Sequence, residues 1–148
     1  MTSDLNPDNR DERPVIAIND RGLILGVDAH GSWIIWTEDE TVWPAHTVWL
    51  AYDHLLWLMP LLQKPQDVVT EAIAGADADN GVLPAVLRYA LGCWSGYWAG
   101  LALAWLEAGY PSTELIDALQ ALKDSPRQPQ PVRHRALRLW RKATEPSP

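Results

Sequence analysis

The chain has 148 residues, enough for one domain with a substantial core, and 47% hydrophobic against 21% charged residues excludes the disordered class. A formal net charge of −7 argues against general nucleic-acid binding and for a basic partner. The single cysteine, Cys93, excludes an internal disulfide and suits a reduced, cytoplasmic compartment.

Residues 1–13 are rich in Asp, Asn and Pro, hold no apolar cluster beyond Leu5, and read as a disordered acidic tail without the order of a signal peptide. Residues 15–18, 23–27 and 33–37 are β-rich runs of strand length. Asn19-Asp20-Arg21-Gly22 and Asp28-Ala29-His30-Gly31-Ser32 supply the turns between them, and Glu38-Asp39-Glu40 a third turn before Thr41-Val42-Trp43. Together, residues 14–43 predict an antiparallel meander that Pro44 ends. Its runs are continuously apolar rather than alternating, which suits strands covered on both faces.

Residues 46–62 are strongly apolar, interrupted by Asp53 and His54, and predict a helix of at most 17 residues kinked or ended near Pro60. A short amphipathic helix follows Pro65 and runs through Ala74, then a loop over 75–81. Pro84 fits the first turn of the next helix. Residues 89–106 carry no charge, and small residues recur at every fourth position: Gly92, Gly96, Gly100, Ala104, Ala108. As one helix over 89–108 this row is a smooth stripe where another backbone can approach. It reads as a buried central helix, with a membrane span and a homodimer through the Gly92/Gly96/Gly100 stripe as the other readings. Gly109 and Pro111 stop it. Ser112 is a suitable cap for a helix over 113–124, and residues 125–131 form a Pro-rich linker. Pro131 opens a last helix that buries Val132, Ala136, Leu139, Trp140 and Ala143. Residues 144–148 form a frayed tail.

The expected fold is therefore α+β and predominantly helical. A short N-terminal meander (14–43) precedes about five helices (44–143) in a single globular domain, 14–143. Residues 97–143 form helix, turn, helix, Pro-rich turn, helix, and Val132-Arg133-x-x-Ala136-Leu137-x-Leu139 resembles the second half of a HEAT-type helical repeat. Such repeats stack into protein-binding surfaces. The resemblance covers about a third of the chain and implies a packing style only, since about three units are needed for a solenoid.

No set of residues identifies a reaction. His46 and His54 lie eight residues apart, about 12 Å along a helix, too far to share one metal ion. Asp77, Asp79, Asn80 and Gly81 fail the calcium-loop spacing. Neither a phosphate-binding glycine loop nor a Gly-x-Ser-x-Gly elbow is present. No cofactor or metal is expected. Nine Trp without a single Phe either fill the core or form an aromatic binding surface.

The expected function is a non-enzymatic protein-binding module of a bacterial cytoplasm, in concrete form an immunity or antitoxin-type inhibitor of a basic toxin domain. Its contact residues are Trp33, Trp36 and Trp43 with Glu38, Asp39 and Glu40 beside them, rings for anchoring and carboxylates for steering. The alternative is a small-molecule or catalytic site in a Trp-lined pocket near His30, Asp53 and His54. Arg127 to Lys142 holds six basic residues and no acidic one, which leaves six basic against nineteen acidic residues elsewhere. The resulting basic face, Arg133, Arg135, Arg138 and Arg141, either pairs with the acidic body or meets an acidic partner or nucleic acid.

Overall fold

The apolar runs near the N-terminus form a four-stranded antiparallel sheet in sequential order, β1 (Arg13–Ala17), β2 (Ile24–Val27), β3 (Trp33–Trp36) and β4 (Val42–Pro44). The computed structural model describes residues 12–37, 42–44, 55–76, 81–93 and 95–145. The chain divides into two compact units, Met1–Ala85 and Val86–Pro148.

In the first unit, Asn19 and Asp28 build the turns. Asn19 Oδ1 accepts from the amides of Arg21 (2.9 Å) and Leu23 (3.2 Å), and Asp28 Oδ1 from those of His30 (2.8 Å) and Ser32 (2.9 Å). Each carboxamide or carboxylate satisfies amides that a tight turn would leave unpaired. Register pairs Leu25 with Ile35 and Val27 with Trp33, so these four buried side chains share one face of the sheet. The other face holds Gly26 and Ile34, with the Trp36 ring lying over Gly26. A Cβ at Gly26 would stand 2.2 Å from that ring and 2.5 Å from the Arg13 carbonyl oxygen, so the close approach requires glycine. In β1, Pro14 pairs with Gly26 and Ile16 with Leu25, which leaves Val15 in a bulge. Pro14 is tolerated because β1 is an edge strand. Pro44, expected to end the meander, instead lies within β4 opposite Ile34.

The helix expected over 46–62 is described only from residue 55. Leu55–Leu58 makes one turn, α1, and Met59–Gln63 continues as a 3₁₀ segment with Pro60 in its first turn. Met59, Leu61 and Leu62 are buried. Helix α2 (Gln66–Gly75) buries Val69 and Ile73 and packs near β1, where Arg13 Nη2 donates to the Ala76 carbonyl at 2.9 Å.

Four further helices follow: α3 (Val82–Gly92), α4 (Gly96–Glu107), α5 (Ile116–Lys123) and α6 (Gln130–Thr144). The continuous helix read over 89–108 is thus broken between Gly92 and Gly96. Ser95 is the reason, since its Oγ accepts from the Trp98 amide and caps α4. The side chain of Gln128, only 6% exposed, holds the other side of the break by donating to the Cys93 carbonyl at 3.1 Å. The glycine row consequently never forms a single stripe. A Cβ at Gly92 would meet nothing within 4 Å, one at Gly96 would approach Gln128 and Pro129, and one at Gly100 would approach Arg135 Nη1 at 3.5 Å. Among the described residues no helix is long and apolar enough to cross a membrane.

Helix α4 ends in a Schellman turn at Gly109, whose φ is +120°. The Tyr110 amide donates to the Trp105 carbonyl (3.1 Å) and the Gly109 amide to that of Leu106 (3.2 Å), while the Trp105 and Tyr110 rings meet at 5.9 Å. Ser112 does not cap a helix beginning at 113. Its carbonyl accepts from the Leu115 amide at 2.9 Å, closing a turn, and α5 starts three residues later. Helix α6 packs against both α4 and α5, burying Ala136 and Leu139, with Val132, Trp140 and Ala143 partly covered.

Candidate functional site

The side chains that combine exposure, charge and concavity lie along α6, whose apolar positions 136 and 139 face the second unit's core. Its cations meet three different surroundings. Arg135 turns toward α4 and is used internally. Its Nε and Nη2 hold the two oxygens of Glu107 at 3.0 and 2.7 Å, and Nη2 also donates to the Gly100 carbonyl at 3.1 Å. The Arg135 hydrogen bond holds the Glu107 carboxyl below the ordinary carboxylate range against the opposing effect of partial burial, with the charges of Arg135 and Arg138 adding to it. The same bond raises Arg135.

Arg138, Arg141, Lys142 and His134 point outward and are exposed. Arg138 and Lys142 form one wall of an open cleft of about 560 Å³, whose far side is the loop from Gly109 to Thr113 and whose floor includes Leu106 and Leu139. Tyr110 lines it, and burial, followed by the nearby Glu114 charge, pushes its phenol above the usual tyrosine value.

Arg133 meets the third, at the end of α5. With Lys123, Asp124, Gln130, His134 and Leu137 it lines a smaller cleft of about 250 Å³. Lys123 Nζ touches both Asp124 oxygens, at 3.0 and 3.3 Å, and sits 4.5 Å from the centroid of the Trp140 ring. Elsewhere in this unit Arg88 pairs with Asp117 at 2.6 Å and also reaches the Glu114 carbonyl. The Arg88 hydrogen bond holds Asp117 below its usual range.

The contact residues expected in the meander fare differently. Trp33 is 3% exposed, so its ring belongs to the core face of the sheet rather than to a surface open to a partner. Trp36 is partly exposed and covers Gly26. Trp43 lies in β4, and Glu38, Asp39 and Glu40 fall outside the described residues. For the alternative pocket, His30 sits exposed in the β2–β3 turn, while Asp53 and His54 fall outside the described residues. Among the described residues no three His, Cys, Asp or Glu side chains come together as metal ligands. Cys93 donates to the Ala90 carbonyl at 3.1 Å.

Sequence reasoning passed over Gln128, Lys123 and Ser95. A Ser three residues before an apolar helical position is a readable capping signal, whereas nothing local marks Gln128 as buried. Comparison of the chain with protein-family models, with curated proteins and with solved structures returns no match, so the HEAT-type likeness rests on its sequence pattern alone.

Proposed function

We propose that the chain is a protein-binding module and that the outward cationic face of α6 is its binding surface for an acidic partner. One observation carries this reading, a charge left unneutralised in a chain with acid to spare. Outside residues 127–142 the sequence holds nineteen acidic residues against six basic ones. Yet among the described residues Arg135 is the one α6 cation in an ion pair. Arg138, Arg141 and Lys142 stand at i, i+3 and i+4, a spacing at which like charges cost a helix about 0.2–0.5 kcal/mol per pair. The negative end of the helix dipole offsets part of this at Arg141 and Lys142. Carboxylates of a partner would offset the rest and steer its approach.

The test is capture of partners from a bacterial host by the tagged full chain and by an Arg138→Glu/Arg141→Glu variant, read by quantitative mass spectrometry at two salt concentrations. An acidic protein retained by the parent, lost on charge reversal and weakened by salt supports the reading. A partner held equally by both proteins removes α6 as the surface. If that partner is a basic toxin-like domain, the acidic remainder of the chain becomes the contact, as an immunity-type inhibitor requires.

A further inference from the structure

We infer that the open cleft between α6 and the loop after α4 docks an extended segment of a protein partner with the pattern acidic–apolar–acidic. The inference rests on the partner-binding reading of α6 and names the part of the partner that is held. The cleft, about 560 Å³, lies within the range of ligand-binding clefts, about 300–1,000 Å³. Arg138 and Lys142 line one wall, both exposed and, among the described residues, in no ion pair. Arg141, between them in sequence, does not line it. The cleft therefore divides the three outward cations.

Two carboxylates, Glu107 and Glu145, also line the cleft and oppose an acidic guest. Arg135 already holds both oxygens of Glu107, and Glu145 stands beyond the last turn, as the cap residue of α6. Two cations are thus left against one carboxylate, and acidic side chains from another molecule would complement them.

Spacing gives the pattern. Arg138 and Lys142 are four residues apart on one helix, about 6 Å along its axis at about 1.5 Å per residue. In an extended chain, residues i and i+2 lie on one side and about 6.6 Å apart. Acidic side chains at those two positions therefore meet one cation each. The side chain between them is turned the opposite way, toward the loop over 109–113. Pro111 and half-buried Tyr110 line the cleft there, with Leu106 and Leu139 in its floor, so an apolar side chain fits that place. The Schellman turn at Gly109 and the contact between the Trp105 and Tyr110 rings hold this wall in advance, which lowers the ordering cost of binding.

The experiment titrates the full chain with the peptide acetyl-Gly-Asp-Leu-Asp-Gly-amide at constant ionic strength, followed by amide NMR. The expected result is a saturable set of shifts centred on Leu106, Tyr110, Thr113 and Leu139. A peptide with Asn for both Asp should bind about tenfold more weakly, since two exposed ion pairs are lost. One with Gly for Leu should bind about fivefold more weakly. Arg138→Gln should weaken the parent peptide about threefold and Arg141→Gln should leave it unchanged, each variant keeping its amide spectrum elsewhere. No saturable shift in the cleft overturns the inference. So does equal affinity for the Leu and Gly peptides, or equal weakening by Arg138→Gln and Arg141→Gln; either leaves α6 as a charged surface without a docking cleft. Equal affinity for the Asp and Asn peptides overturns the inference and the acidic-partner reading together.

Discussion

Replacing Arg135 with Met isolates what the interior arginine of α6 contributes, because the unbranched apolar side chain keeps the packing of the stem and deletes only the fork. The fork makes two bonds to Glu107, at 3.0 and 2.7 Å, and one to the Gly100 carbonyl, at 3.1 Å. The two side chains are 28% and 38% exposed, so solvent screens the pair and the ion-pair part is worth about 1 kcal/mol, the upper end for surface pairs. The bond to the backbone carbonyl adds about 1 kcal/mol, giving about 2 kcal/mol at neutral pH. With a urea slope of about 2 kcal/mol/M, the unfolding midpoint should fall by about 1 M. The pH dependence follows from the sign of the Glu107 shift. Its folded-state value lies below the unfolded value of about 4.5, so the ion-pair contribution is fully present above that pH and is lost as the pH falls through the folded value. Urea unfolding of parent and variant, followed by helical circular dichroism, should show the difference at about pH 6 shrinking by about half at a pH below the folded-state value of Glu107, as the pair is neutralised and the Gly100 bond remains. Glu107→Gln should cost less than Arg135→Met at neutral pH, since it spares that bond. A loss equal at both pH values, or no loss at either, would refute the assignment of Arg135 to an internal role.

Gly26→Ala should destabilise the sheet by about 2–3 kcal/mol, because the new methyl meets the Trp36 ring and the immovable Arg13 carbonyl, and thermal unfolding reads this directly. Gly109→Ala meets nothing within 4 Å, so any loss is conformational, and about 1–2 kcal/mol is expected from a φ of +120°. Gly100→Ala should be neutral or stabilise by up to about 1 kcal/mol, since helix propensity improves and the one neighbour, Arg135 Nη1, lies at ordinary contact distance. A clear loss from Gly100→Ala would restore the idea of a closely packed glycine stripe.

The parts of the fold that local chemistry decides were legible. Asn19 and Asp28 mark the two turns where they close hydrogen bonds, and the apolar runs of β2 and β3 became strands largely buried on both faces, whereas the edge strand β1 is exposed or partly covered. Pro131 lies in the first turn of α6, as its fixed φ favours. What the sequence concealed was the division of 89–108. Every residue there is compatible with one apolar helix, and the glycine spacing gives a seductive period. The decision falls to a cap, Ser95, and to Gln128, which lies 35 residues from the carbonyl it holds. Long-range satisfaction of a broken helix end leaves no periodic trace. The basic face was likewise legible as a set, but its sorting was not. Arg135 and Arg138 differ by three positions on one helix, and only the position of Glu107 decides which of them is spent internally.

That sorting ties the helix break to the candidate surface. Packing of its apolar face, with Ala136 and Leu139 buried, holds α6 against α4 and α5, and specific polar contacts fix its bearing further. Two of these sit on the inner side. Gln128 anchors the approach to α6 by bonding the Cys93 carbonyl, a group left free only because α3 ends there. Arg135 then fixes the middle of α6 to the Glu107 carboxylate and the Gly100 carbonyl. With these contacts made, the remaining cations have no rotational choice. Arg133 is turned into the cleft beside Lys123, while Arg138, Arg141 and Lys142 are turned outward. Gly100 therefore contributes a backbone acceptor rather than a helix-to-helix approach, and a carbonyl of the chain's least polar segment helps set the orientation of its most basic one.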